Sequence, residues 1–135
     1  MSSRPAKCFM SPLTAEWIEK ASADLATAGR EMRARRDTNY DAVCFHSQQC
    51  VEKLLKAALT ESGIDFSRTH DLNHLLDLIL PRHPLWEAFR SGFQELVAYA
   101  VEYRYPGESA TKDMARTALK AAQNFSKEFT TKYAK

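Results

Sequence analysis

The chain has no apolar stretch long enough to cross a bilayer, and it is poor in residues that interrupt regular structure: 4 glycines and 5 prolines among 135 residues. Such scarcity excludes a collagen-like or low-complexity chain. No segment alternates apolar and polar residues with the period of a strand. Cysteine is scarce too, and an odd count of 3 suggests no disulfide framework. Cys44 and Cys50 stand six positions apart on an expected helix, about 9 Å of rise, which excludes a bond between them within it. Both read as small packing residues, and Cys8 lies near the start of the chain. The opening residues lack the apolar centre of a secretory signal, so cytoplasmic residence is the expectation. Charge of one sign is also lacking. The formal net charge of +2 implies nucleic acid only if the basic residues gather on one face.

What is present is apolar periodicity. With 44% hydrophobic and 27% charged residues, the composition is that of one soluble globular domain, placed at residues 14–135 behind an N-terminal extension of residues 1–13. Ile18, Ala21, Leu25, Ala28 and Met32 recur at steps of three and four, which predicts a first helix with Trp17 beside its apolar face. Thr14 is the expected cap, with Pro12 outside the helix. Asn39 is expected to cap a second helix from Tyr40 to Glu61, with Asp41 in its first turn and Gly63 ending it. Its broad stripe, Tyr40, Val43, Cys44, Val51, Leu54, Leu55, Ala58 and Leu59, marks it as the central helix.

A short third helix starts near Thr69 or His70, buries Leu72, Leu75, Leu76 and Ile79, and stops at Pro81. Trp86, Phe89, Phe93, Leu96, Ala100 and Tyr103 predict a fourth of about five turns. Tyr105-Pro106-Gly107 turns the chain into a last helix from about Ser109 to Tyr133, facing inward with Ala115, Ala118, Ala122, Phe125 and Phe129. The fold class that follows is all-α: an antiparallel, up-and-down bundle of four long helices and one short one. The aromatic run on the fourth helix has two readings, a face shared with a second copy in a homodimer or core of a single bundle.

Chemistry is sparse by comparison. There is no Gly-rich phosphate loop and no nucleophile at a sharp strand-to-helix turn. Arg30, Arg33, Arg35 and Arg36 crowd the end of the first helix, either as a phosphate-contacting patch or as cations offsetting the helix's terminal carbonyls. His70 and His74 have the i, i+4 spacing of two metal ligands, but the remainder of a zinc-helix motif is absent, so neither metal nor cofactor is expected. His46 and Cys50, spaced alike, read as packing residues. Glu52, Lys53 and Lys56, with Gln49, lie within two turns of the second helix. As an exposed pair, Glu52 and Lys56 contribute about 0.2–0.5 kcal/mol. As a partly buried pair meeting Arg104 and His70, they would make a polar pocket for a phosphate or a base.

Gln49, Glu52-Lys53-x-x-Lys56-Ala57, Thr69-His70-x-Leu72 and Arg104-Tyr105-Pro106 together resemble the HEPN domain, and the resemblance runs from Trp17 to about Phe129. It implies a helical module, often the partner of a minimal nucleotidyltransferase chain in a two-gene, toxin-antitoxin-like system. It also implies nucleotide or RNA binding through Glu52, Lys53, Lys56, His70, Arg104 and Tyr105. In that reading Lys56 and Arg104 supply charge, Glu52 orients them and Tyr105 stacks. Many HEPN proteins look like ribonucleases that use an Arg followed four to six residues later by a His. Arg104 occupies the Arg position, but residues 105–110 contain no His. The implied role is therefore non-catalytic binding, with no membrane association and a homodimeric state. The alternative is a metal-independent endoribonuclease toxin using Arg68 and His74, which have that spacing, or Arg104 and His70. A plain helical adaptor is the third possibility.

Overall fold

The computed structural model describes residues 10–101 and 104–133. Five α-helices follow one another: α1 (Pro12–Met32), α2 (Tyr40–Glu61), α3 (Leu72–Ile79), α4 (Arg90–Tyr99) and α5 (Lys112–Tyr133), with a 3-10 segment, Pro84–Phe89, leading into α4. No strand is present among the described residues. Helix α2 is the hub, packing on each of the other four and most extensively on α1 and α5.

Local chemistry sets the helix ends. Asn39 accepts the Ala42 N–H at 3.0 Å, the expected cap of α2. At the far end Gly63 takes φ +70°, and the bonds Ile64 N–H to Leu59 O (2.9 Å) and Gly63 N–H to Thr60 O (3.1 Å) close a Schellman turn. The start of α1 differs from expectation. Ser11, not Thr14, is the cap, accepting the Thr14 N–H at 3.1 Å. Pro12 begins the helix, because the first helical position has no N–H bond for proline to lose. Helix α3 begins later than expected because Asp71 accepts the N–H groups of Asn73 and His74. Helix α5 begins at Lys112, behind a Thr111 hydroxyl that accepts the Met114 N–H at 3.1 Å.

The fourth helix is shorter than its apolar period implies. Pro84 opens a tight 3-10 segment through Phe89, and the α-helix proper ends at Tyr99; Tyr103, expected on its face, lies outside the described residues. The aromatics fill this chain's own core. Trp86, Phe93, Phe125 and Phe129 are buried, and Trp86 and Phe93 meet Phe125 edge-on at centroid distances of 4.9 and 5.2 Å, a geometry that the ring quadrupoles favour. Ala115, Ala118 and Ala122 let α5 approach α2 closely and are fully buried. These four aromatics belong to the core of this chain.

Candidate functional site

One stripe of α2 carries Asp41, Phe45, Gln48 and Glu52 at helical spacing. Toward its middle, the connector between α2 and α3 and the end of α4 enclose a groove of about 320 Å³ lined by Phe45, Gln48, Gln49, His70, Val97 and Ala100. Beneath it lies an ion pair that the exposed-pair reading did not anticipate. Glu52 and Lys56 are only 3% and 7% exposed, with Lys56 Nζ 2.9 Å from Glu52 Oε2.

Tertiary contacts close over the pair. Lys56 Nζ sits 5.6 Å from the Trp17 ring centre and 6.0 Å from that of Phe66, where both rings attract the cation. On the carboxylate side, His70 Nδ1 is 3.0 Å from each Glu52 oxygen. Gln48 Nε2 donates to Glu52 Oε1 and to the His70 carbonyl at 3.4 and 3.3 Å. Gln49 Nε2 donates to Gln48 Oε1 at 3.0 Å and to Glu52 Oε1 at 3.5 Å. The imidazole of His70 is nevertheless 77% exposed. A buried carboxylate thus orients a ring that faces solvent.

Arg104 does not join this network, contrary to expectation. Its Nε pairs with Asp41 Oδ1 at 2.9 Å, and its Nη2 donates to the Tyr99 carbonyl at the end of α4. Asp41 also accepts the Ala110 N–H at 2.6 Å. Eleven residues of α2, about 16 Å of rise, separate Asp41 from Glu52. Arg104 was drawn away because α4 ends early and exposes carbonyls that a cation can satisfy. Arg104 and Tyr105 line a separate cavity of about 500 Å³ with Asp41, Val101 and Glu108. The two cavities adjoin at Ala100 and Val101, consecutive residues.

The remaining candidates scatter. Lys53 faces α1 and pairs with Asp24. His46 is not merely packing: its Nδ1 lies 2.8 Å from Asp24 Oδ1. Arg68 and His74 are exposed, and their side chains make no hydrogen bond or ion pair with other described residues. No cluster of three or more His, Cys, Asp or Glu suited to a metal occurs among the described residues. Arg30, Arg33, Arg35 and Arg36 are exposed beyond or at the end of α1. Burial pushes the Cys44 thiol up to about 11 and the Cys50 thiol to about 12, which leaves both protonated and unreactive near neutrality.

Two residues escaped the sequence reading. Asp24 falls three after Ala21 and four before Ala28, in the middle of the apolar face of α1, and a carboxylate there signals a buried partner. Phe45 is offset from the core stripe of α2 and is only half-buried.

The family profile described as "HEPN domain" matches residues 14–132. The chain belongs to the HEPN domain family. The crystal structure of an archaeal HEPN homologue aligns with a TM-score of 0.63 at 23% identity, covering 89% of this chain and 97% of that one; likeness at that identity is one of fold. No curated protein matches the chain. Within this HEPN domain the Glu52 network and the groove above it form the best-organised polar site.

Proposed function

We propose that this HEPN domain is a non-catalytic module that binds a nucleotide or single-stranded RNA in the groove lined by Phe45, Gln48, Gln49 and His70. The observation that carries the reading is the buried Glu52–Lys56 pair beneath a solvent-facing imidazole. Desolvating two ions offsets most of their attraction, so such a pair is weak as a stabilising device; here it holds three polar side chains in fixed positions at the rim of a cavity. A half-buried phenyl ring beside fixed amides suits a base, which stacks and hydrogen-bonds at once.

Arg104 and Tyr105, in the adjoining cavity, would contact the backbone of a longer strand. Arg104 retains donors not used by Asp41 and Tyr99. Pairing with a minimal nucleotidyltransferase chain in a toxin-antitoxin-like system, and homodimerisation, rest on the family resemblance. Calorimetric titration with mononucleotides and a single-stranded RNA hexamer tests the binding. His70→Gln should weaken both ligands, whereas Arg104→Ala should weaken only the hexamer. If neither ligand binds the wild-type protein, the proposal fails.

One observation favours a second reading. A carboxylate that fixes Nδ1 of an exposed imidazole is how a general base is oriented, so an endoribonuclease using His70 is the competing function. It predicts growth arrest on expression and RNA cleavage in vitro, both abolished by His70→Ala but unaffected by Arg68→Ala or His74→Ala.

A further inference from the structure

The hydrogen-bond polarity of the Glu52 network specifies what the groove can accept. Glu52, ionised against Lys56 Nζ at 2.9 Å, can only accept hydrogen bonds. Every group that touches it must therefore turn a donor inward. When the imidazole of His70 is neutral, the carboxylate 3.0 Å from Nδ1 holds its hydrogen there, which leaves a lone pair on Nε2. Gln48 has both partners of its Nε2, Glu52 Oε1 and the His70 carbonyl, as acceptors. The same holds for Gln49, whose Nε2 faces Gln48 Oε1 and Glu52 Oε1. Both amide orientations follow from this, and both NH₂ groups are occupied.

Two polar atoms at the groove remain without partners among the described residues: His70 Nε2 and Gln49 Oε1. Both are acceptors. No lining residue of the groove supplies a free cation, since Lys56 lies beneath it in its pair with Glu52. The groove therefore offers a phosphate no cation and favours a group that donates. Phe45, Val97 and Ala100 make the rest of the wall apolar, which favours a flat ring over a hydrated ammonium.

Resting on the nucleotide-binding reading above, we infer that the groove holds an unpaired base by its donor edge, and that guanine is the preferred base. Guanine alone among the four bases presents two adjacent donors, N1–H and the 2-amino group, to two acceptors. Adenine and cytosine present one amino group beside an acceptor nitrogen. Uracil flanks its single N3–H with two carbonyls that would face lone pairs. Specificity is set by the cost of leaving a site's polar atom unpaired.

Titration at about pH 8, above the ordinary range of an imidazole, separates the possibilities. Guanosine 5′-monophosphate should bind about tenfold tighter than inosine 5′-monophosphate, which lacks only the 2-amino group, a factor typical of one well-placed hydrogen bond. Uridine 5′-monophosphate should be weaker still, and inorganic phosphate should not compete. Gln49→Met and His70→Gln, each checked for an unchanged circular-dichroism spectrum, should narrow the guanosine-to-inosine ratio toward one. Equal binding of all the nucleotides, or competition by phosphate, overturns the inference while leaving nucleotide binding intact. No binding by any nucleotide overturns both.

Discussion

Two clusters on α2 have the same chemical parts and different consequences. Asp24 is paired with Lys53 and His46, and Glu52 with Lys56 and His70: one carboxylate, one lysine and one imidazole each. Around Asp24 both partners come from α2, so the cluster ties two long helices that already share an extensive interface. Around Glu52 the imidazole comes from the connector ahead of α3, and a groove opens above it. Burial differs as well. The side chains of Lys53 and His46 are 22% and 31% exposed, whereas Lys56 is almost wholly enclosed. Identical ion sets thus act as a clasp in one place and as a platform in the other, and what decides between them is what covers the lysine and what the imidazole faces.

The largest expected difference is in stability. Glu52→Gln strands the Lys56 ammonium among Trp17 and Phe66, at a cost of about 3–5 kcal/mol, the usual penalty for an orphaned buried charge. Replacing both partners, Glu52→Gln with Lys56→Met, should recover most of that loss, because the desolvation cost leaves with the charge. Asp24→Asn should cost about 1–2 kcal/mol, since water still reaches Lys53 and His46. Urea denaturation of the three variants checks the order. Similar losses for Glu52→Gln and Asp24→Asn would erase the distinction between the clusters.

Binding should divide the two imidazoles more cleanly than stability does. His70→Gln is expected to lower affinity for guanosine 5′-monophosphate about tenfold or more, the equivalent of about 1.4 kcal/mol. His46→Gln, facing α1, should leave affinity within twofold. Calorimetry on the two variants gives the comparison directly, and an equal loss from both would mean that the groove is not where ligand sits.

The contrast also explains what could be read from the residues alone. The all-helical class, the extent of α2 with its Asn39 cap and Gly63 stop, and the inward face of α5 are local matters of period and capping, and each agrees with the structure. The start of α1 went to Ser11 because two hydroxyls, Ser11 and Thr14, were available as caps, and Pro12 fits the first helical position as readily as a place outside the helix. The shortened α4 depends on Pro84 tightening the chain into a 3-10 turn, while its apolar spacing stays compatible with a longer helix. The site was half legible. Glu52, Lys56 and His70 do meet, but the burial that distinguishes their cluster comes from Trp17 and Phe66, more than thirty residues apart from one another in sequence. Arg104 looked like a member of the same group only because nothing local shows that Asp41 and the Tyr99 carbonyl reach it first.

The smallest expected effect concerns a third imidazole, and it guards the comparison against a misreading of pH data. His83 stacks on Trp86 at a centroid distance of 4.0 Å, and its Nε2 lies 2.6 Å from the Tyr133 hydroxyl. Burial, followed by the positive charge of Lys132, holds its pKa below the ordinary 6.5. The unfolded chain therefore binds this proton more readily than the folded one. The stabilisation is full above about 6.5 and is lost as pH falls from there toward the depressed folded value. Thermal unfolding followed between pH 7.5 and pH 5 should show a declining midpoint in the wild type and a flatter profile in His83→Gln. If the decline persists unchanged in His83→Gln, the acid response does not come from this imidazole.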